Sequence, residues 1–515
     1  MLPAVSEPEE TPAVPTEEEP SRRKRAWGPD DSVVLFAITA IAAVSRFLRL
    51  GSPDKFAFDE VYYAKEACFY VKASEKLCDF PKSPPAEVHP PLAKWLMGWG
   101  IDIAGFDSFG WRVSSVVAGV LSVILLYLLA RKLLGSTLAA GTAAGLLALD
   151  PLHFVHSRAA LLDMYPTLFG VAAFLFLVYD RDRMIRETEG GVARGMFARP
   201  WRLAAGLAGG AATASKWSGG LVLAGVIVIT LVWEIARRKE LGWGQAILQT
   251  LRREGPSIVL YLGLAPFAFY VATYIGRLQG PVLNPLAEGS WLREWLRYQT
   301  NALTFHRNLT ARHGYESPPA MWILIKRPLL YWAESGSQGK SSIYAMGNPL
   351  IWWPAIGAFA FLFVRWIKDR DWTKHRGLIL GAFTATYLIW LVLAPRRDAV
   401  FLFYILPAIP YLCLAVAAVV TVELKDTARK VGVGVTALFA VGWFFAYYPI
   451  IANSAVPEER WDAQMFFQSC EKPTYRRTMT NTVTQAIDRN TTIIKTNERV
   501  NTDTKDIPPS GWCWK

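Results

Sequence analysis

About eleven apolar stretches constrain this chain more than any other feature, because each approaches the roughly 20 residues that a helix needs to cross a bilayer. They lie at 32–50, 111–133, 137–155, 164–180, 201–215, 218–236, 256–276, 349–367, 377–395, 400–421 and 430–451. The stretch 201–215 is short, and its many glycine and alanine residues favour close helix packing. Charged residues make up only 19% of the chain, below the roughly 25% of soluble domains. The sequence therefore predicts an all-α polytopic membrane protein with about 11 transmembrane helices.

The positions of basic residues predict how the chain is oriented. Arg22 to Arg25 directly precede the first stretch, and every short loop predicted on that side is basic, for example at Arg131 and Lys132. By the positive-inside rule the N-terminus is cytoplasmic, and eleven crossings leave the C-terminus extracytoplasmic. Because the basic residues that produce the net charge of +12 lie between apolar stretches, they indicate membrane topology and no nucleic-acid partner. We expect a multi-pass protein of the cell (plasma) membrane.

Three regions follow from this topology. Residues 1–31 form a cytoplasmic tail whose Pro-, Glu- and Thr-rich start predicts disorder. The membrane domain is predicted at 32–451, with outer loops at 51–110 and 277–348, and an extracytoplasmic tail at 452–515. Within the two loops, the apolar segment 95–106 and the amphipathic segment 291–298 predict interfacial helices.

Several charged residues on the predicted outer face lie at unusual positions for a membrane protein. Asp59 and Glu60 follow the first stretch by a few residues, and charged groups held at a membrane surface tend to be functional. Taken alone, a solvated acidic pair in a loop is the simpler interpretation. Arg158, Lys216 and the pair Arg396/Arg397 lie in short outer loops, where basic residues are uncommon. They either bind an anion or pair with local acids, and the residues leave both open.

Acids and cations converge on this face and suggest chemistry on a lipid-linked phosphate. The set comprises Asp59, Glu60, His89, Lys94, Arg112, Arg158, Asp163, Lys216, Arg396 and Arg397. A carboxylate can deprotonate an attacking hydroxyl, and Arg or Lys can take up charge on a phosphate leaving group. A transporter is disfavoured because it would place ionisable residues in broken helices at mid-membrane.

The cysteines fit an oxidising outer compartment. Cys68 and Cys78 lie in the first outer loop, Cys470 and Cys513 lie in the tail, and Cys413 lies inside an apolar stretch. We expect disulfides Cys68–Cys78 and Cys470–Cys513; four unrelated thiols are the alternative. No cysteine or histidine spacing indicates a structural metal site.

Several short motifs, taken in order, resemble the protein O-mannosyltransferases of the C-type glycosyltransferase superfamily. They are Arg46 ahead of Phe58-Asp59-Glu60, His89-Pro90-Pro91-Leu92-Ala93-Lys94, Trp111-Arg112, Arg158 with Leu162-Asp163, Ser215-Lys216-Trp217-Ser218-Gly219, and Pro395-Arg396-Arg397 before Phe403-Tyr404 and Leu406-Pro407. The second outer loop is too short for the β-trefoil module of eukaryotic members. The chain therefore looks like the bacterial, actinobacterial-type enzymes, and the resemblance implies their C-type glycosyltransferase fold.

The resemblance also implies roles for the acids. Asp59 matches the catalytic base, and Glu60 matches its partner in acceptor binding. Adjacent side chains of an extended backbone point to opposite sides, so the two acids need not share a role. Arg46 and Arg112 match arginines that are important in the family.

For the donor phosphate we expect Lys216, one of Arg396 and Arg397, and Arg112. Lys94 either reaches the lipid phosphate or extends to the membrane interface. Asp163 is a metal ligand or pairs with Arg158, and the pairing is favoured, so no cofactor is assigned and a divalent cation stays open. His89 is expected to orient its loop, because two prolines follow it.

The implied reaction is an inverting single displacement. Polyprenyl-phosphate mannose is the expected donor, with its lipid chain between membrane helices, and Ser or Thr hydroxyls of exported proteins are the acceptors, met during translocation. Partners are thus the donor, the acceptor protein and membrane lipid. A related transferase that acts on a lipid or cell-wall glycan is the alternative.

Overall fold

The computed structural model describes most of the membrane domain. Described are residues 26–72, 78, 88–189, 195–278, 288–309, 313–370, 375–394, 399–465, 477–488 and 491–501, with backbone only for 188–189, 477–488 and 491–501. Residues 1–25, 466–476, 489–490 and 502–515 of the two predicted tails lie outside these ranges, and so do Arg396, Arg397, Cys470 and Cys513.

Helices dominate the described residues. They are α1 (Pro29–Phe47), α2 (Glu60–Lys72), α3 (Leu92–Ala104), α4 (Ser108–Leu134), α5 (Thr137–Ala148), α6 (Pro151–His156), α7 (Met164–Glu189), α8 (Pro200–Ser215), α9 (Gly220–Ala236), α10 (Trp243–Ile258), α11 (Ala265–Ala272), α12 (Trp291–Asn308), α13 (Pro349–Asp369), α14 (His375–Phe383), α15 (Ile389–Leu393), α16 (Ile409–Ala418), α17 (Asp426–Ile451) and α18 (Glu458–Gln464). Short π-helical segments join α10 to α11 and α14 to α15 into longer helices.

Two antiparallel β-hairpins accompany the helices. The first pairs β1 (Leu329–Gly336) with β2 (Gly339–Ala345), and the second pairs β3 (Arg477–Asp488) with β4 (Thr491–Asn501). The sequence analysis predicted neither hairpin. The first one packs against the segment that carries Asp59, because the amide of Phe58 donates to the carbonyl of Tyr331 over 3.1 Å.

The helices confirm a multi-span membrane protein. Within the described residues, seven helical segments are long and apolar enough to cross a bilayer: Ser108–Leu134, Trp217–Ala236, Trp243–Ala272, Pro349–Asp369, His375–Leu393, Leu402–Glu423 and Asp426–Ile451. The other four predicted stretches coincide with α1, α5–α6, α7 and α8, which do not meet both criteria. The number of eleven crossings stays a prediction. Helices α3 and α12 form where interfacial helices were expected.

The helix pair α7–α8 places two predicted site residues together. Asp163 directly precedes α7 and Lys216 directly follows α8, so the antiparallel packing of the pair brings them to the same end. Glycine in α8 permits close approach to the π-helical segment between α10 and α11, since a Cβ at Gly206 would overlap the carbonyl oxygen of Tyr261. This is the close packing that the small residues of 201–215 predicted.

Candidate active site

The two adjacent acids at the start of α2 lie in opposite environments. Glu60 is completely buried: its Oε1 accepts from Arg112 Nε over 2.8 Å and from the Ala160 amide over 2.9 Å. Its Oε2 accepts from Arg112 Nη2 and from the Ala57 amide, each over 2.8 Å. Four donors therefore occupy both carboxylate oxygens, which leaves Glu60 no free lone-pair direction toward a substrate.

Arg112 is equally occupied. Besides Glu60, its guanidinium donates to the carbonyl oxygens of Leu50 (3.1 Å), Pro53 (2.8 Å) and Lys55 (3.0 Å). The pair thus fixes the loop between α1 and α2. Both side chains are buried and fully hydrogen-bonded, which favours a structural role for the pair; the expectations that Glu60 binds the acceptor and that Arg112 binds the donor phosphate stay predictions.

Asp59 is the available acid of the pair. Its side chain is half-buried, and in the described part of the chain no hydrogen bond or ion pair satisfies its carboxylate. Burial raises the pKa of Asp59 to about 6; the charge of Lys216 opposes this shift, and that of Asp163 adds to it. A carboxylate with a pKa close to neutrality and no fixed partner is suited to accept a proton.

A buried ion pair faces Asp59. Lys216 Nζ donates to both carboxylate oxygens of Asp163, over 2.8 and 2.9 Å, and lies 4.4 Å from the ring centroid of Tyr404. Burial lowers the pKa of Lys216, but Asp163 outweighs this effect and the net shift is upward, so the ammonium is charged. The expected pairing of Asp163 with Arg158 is wrong, because Lys216 occupies the Asp163 carboxylate.

Arg158 and Arg46 hold the end of α1. Arg158 donates to the carbonyl oxygens of Ser45, Arg46, Leu48 and Arg49, over 2.6 to 3.3 Å, where the helix leaves carbonyls without intrahelical partners. Arg46 donates to Ser157 Oγ over 3.0 Å and to the Ala148 carbonyl over 3.1 Å. Both arginines thus fix the end of α1, from which the chain continues to Asp59.

Lys94 and His89 belong to a neighbouring polar cluster. Lys94 is buried and forms a 2.6 Å ion pair with Glu66, and its Nζ also donates to the His89 carbonyl over 3.2 Å. The sequence analysis did not predict Glu66 as the partner of Lys94, and contact of Lys94 with the lipid phosphate stays a prediction. The Tyr298 hydroxyl donates to the same His89 carbonyl over 2.6 Å, which ties this loop to α12.

Further predicted features have mixed outcomes. Cys68 and Cys78 are joined by a disulfide, with Cα atoms 5.7 Å apart, and Cys413 is a buried free thiol. Cys470, Cys513, Arg396 and Arg397 lie outside the described residues, so their roles stay predictions. Among the described residues, no group of three or more His, Cys, Asp or Glu side chains is arranged to hold a metal ion.

The sequence analysis missed Tyr331 and His156. Tyr331 lies on β1, and its ring stacks on Phe58 with centroids 4.6 Å apart. His156 ends α6, and its Nε2 is hydrogen-bonded to the Tyr331 hydroxyl over 2.8 Å. The signal that predicts the hairpin is the turn sequence Gly336 to Gly339 between aromatic segments.

Comparison with known proteins gives consistent matches along the chain. The family described as dolichyl-phosphate-mannose-protein mannosyltransferase matches residues 36–275, and the C-terminal four-TMM region of protein O-mannosyltransferase matches residues 291–470. A polyprenol-phosphate-mannose–protein mannosyltransferase of Mycolicibacterium smegmatis is 33% identical, with 84% of this chain and 91% of that protein covered. The enzyme of the same name from Mycobacterium tuberculosis is 30% identical, with 87% and 93% covered.

Solved structures share the fold. The donor-bound protein O-mannosyltransferase complex Pmt1–Pmt2 of S. cerevisiae superposes with a TM-score of 0.67 at 16% identity, covering 85% of this chain and 92% of that one. Apo ArnT from Cupriavidus metallidurans has a TM-score of 0.50 at 16% identity, covering 82% and 76%. These likenesses establish the C-type glycosyltransferase fold.

Proposed function

Because the chain belongs to the protein O-mannosyltransferase family, we propose that it moves mannose from polyprenyl-phosphate mannose to Ser or Thr hydroxyls of exported proteins. This chain aligns with most of the length of the mycobacterial relatives that carry the corresponding name. Asp59 supports the proposal most strongly: it is the unpartnered, half-buried acid beside a saturated one, and a buried ammonium faces it.

The proposed reaction is a single displacement with inversion. The acceptor oxygen attacks the anomeric carbon, a new carbon–oxygen bond forms, and the bond from that carbon to the phosphate oxygen breaks with its electron pair on the phosphate. Asp59 takes the hydroxyl proton. Lys216 stabilises the negative charge on the departing phosphate. One base suffices, and no covalent sugar–enzyme intermediate is needed.

The site is proposed to face the outside of the cell membrane. Tyr404, which contacts Lys216, follows the Arg396/Arg397 motif, so these cations are candidates for the same phosphate. With the N-terminus in the cytoplasm, Asp59 lies on the extracytoplasmic side, where exported chains emerge during translocation. Asp59 and Lys216 would then contact the phosphate and sugar of the donor, and the apolar helices would contact its lipid chain.

The test is transfer of radiolabelled mannose from polyprenyl-phosphate mannose to a Ser/Thr peptide by the detergent-solubilised protein. We expect Asp59→Asn to lower turnover about a hundredfold to ten-thousandfold, the range of a lost general base. Asp54→Asn is the matched control, because Asp54 is an exposed acid of the same loop, and it should leave turnover unchanged. Near-normal turnover of Asp59→Asn would exclude Asp59 as the base, and label found only in lipid or glycan would exclude a protein acceptor.

A further inference from the structure

The residue before Asp59 has an unfavourable backbone conformation. Phe58 has a φ of 51°, in the left-handed region that bulky side chains rarely adopt. Such a conformation persists only where surrounding contacts impose it. Because the direction of the Asp59 side chain follows from the backbone at Phe58, whatever holds Phe58 also aims the carboxylate.

Tyr331 contacts Phe58 through both backbone and side chain, and the rings of Phe401 and Phe403 pack edge-on against Phe58. Its carbonyl accepts from the Phe58 amide over 3.1 Å, and its ring lies parallel to the Phe58 ring, with centroids 4.6 Å apart and planes inclined by 8°. Backbone and side chain of Phe58 are therefore both tied to one residue of β1. Tyr331 itself is buried.

His156 anchors Tyr331 in turn. The 2.8 Å hydrogen bond between its Nε2 and the Tyr331 hydroxyl is buried, and His156 is entirely shielded from solvent. Its ring also lies 5.3 Å from the ring of Phe403, and the Lys216 ammonium lies 5.6 Å from that same Phe403 ring. The ring of Phe403 thus connects His156 to the cation of the site.

We propose that Tyr331 and His156 are positioning residues that hold Phe58 in its left-handed conformation and so aim Asp59 at the acceptor hydroxyl. This inference rests on the proposed role of Asp59 as the base. When the anchor is removed, Phe58 relaxes toward negative φ and the carboxylate turns away from its position. Lys216 and Asp163 are held mainly by α7 and α8, although Lys216 and His156 share contact with the Phe403 ring, so we expect donor binding to be nearly unchanged when this anchor is removed.

Kinetics of substituted proteins test the role. Tyr331→Leu removes the ring stacking and the hydroxyl, and we expect kcat to fall about a hundredfold, the effect of a misplacement near 1 Å, with an unchanged donor KM. Tyr331→Phe keeps the ring and should lose about tenfold. His156→Gln, which can still offer a hydrogen-bonding atom near Nε2, should retain more activity than His156→Leu. A wild-type kcat in Tyr331→Leu, or equal loss in the two His156 variants, would overturn the proposal.

Two further measurements separate positioning from folding and from the reaction itself. Tyr344→Phe removes the hydroxyl of a buried tyrosine on β2 that touches neither Phe58 nor His156, and it should behave as wild type. A structure of Tyr331→Leu reports on the anchor even if the protein fails to transfer mannose. It should show Phe58 at negative φ and the Asp59 carboxylate displaced, with the Lys216–Asp163 pair intact. An unchanged Phe58 conformation would refute the inference whatever the activity.

Discussion

Among single residues, Asp59 is the one whose ionisation should set the pH dependence of transfer. A base must be deprotonated to act, and burial raises the pKa of Asp59 to about 6. We therefore expect kcat/KM to rise about tenfold per pH unit up to pH 6 and to level off above it, whereas an ordinary aspartate would level off near pH 4. The measurement is kcat/KM from pH 4.5 to 8, and a profile already flat at pH 5 would contradict the assignment.

Lys216 is the residue whose loss should affect the donor. Lys216→Ala removes a charge-assisted contact worth about 1.5 to 3 kcal/mol, so the donor KM should rise by roughly one to two orders of magnitude while the acceptor KM stays constant. Lys216→Ala also leaves Asp163 buried without its cation, so Lys216→Ala/Asp163→Asn is needed to separate folding from binding. Lys239→Ala is the control, because Lys239 is an exposed cation outside the proposed site. An unchanged donor KM in both variants would make Lys216 structural.

At the scale of helices, a buried cluster of arginines and carboxylates connects neighbouring elements. Arg202 is fully buried and bonds Glu234 over 3.0 Å and Glu254 over 2.9 Å, and Arg199 bonds Asp180 over 2.6 Å. The cluster joins α7, α8, α9 and α10 at the end opposite Lys216. Arg199 directly precedes α8, and its partners Asp180, Glu234 and Glu254 lie on the neighbouring helices.

Removal of one member of this cluster should destabilise the fold. Arg202→Ala removes one of the arginines that bond Glu234 and Glu254, while Arg199, Arg237 and Arg238 remain, so we expect a loss of up to about 3 to 5 kcal/mol. We expect a clearly lower unfolding temperature in detergent, with kcat per folded molecule unchanged because the site lies at the other end of the helices. Arg186→Ala, an exposed arginine near the end of α7, should leave the unfolding temperature unchanged. Equal unfolding temperatures for the two variants would show that the cluster contributes no stability.

The sequence predicted elements better than contacts. Apolar length placed α4 and α13 well, and the position just after the first stretch singled out the pair Asp59 and Glu60, of which the family resemblance selected Asp59. The partner of each charged residue was not predictable: Arg158 is near Asp163 in the chain, whereas Lys216 is 53 residues away and reaches it only through the packing of α8 against α7. Glu60 and Arg112 are separated by 52 residues, and no local pattern reports such a pair. The hairpin was missed because its aromatic residues resemble an interfacial segment.

Across the whole molecule, ionic groups lie at both ends of the α7–α8 pair. Asp163 and Lys216 lie at one end, and Asp180 and Arg199 lie at the other. The seventeen positions between the two acids span about 25 Å at 1.5 Å per residue, close to the roughly 30 Å of a hydrocarbon core. The two groups are thus spaced for opposite membrane faces, with the proposed active site at one and the ionic cluster at the other.

This arrangement predicts which face each loop occupies. Glu240 is exposed just after α9, on the side of the ionic cluster, and Ser335 is exposed on the hairpin that contacts Phe58. In a background with Cys470 and Cys513 replaced by serine, we expect a membrane-impermeant maleimide to label Ser335→Cys in intact cells and Glu240→Cys only in inverted vesicles. The parent protein without either new cysteine is the control, because Cys68 and Cys78 are bonded and Cys413 is buried. Labelling of Glu240→Cys in intact cells, with Ser335→Cys protected, would reverse the orientation and place Asp59 in the cytoplasm, away from exported acceptors. Labelling of both from one side would contradict the separation of the two ends itself.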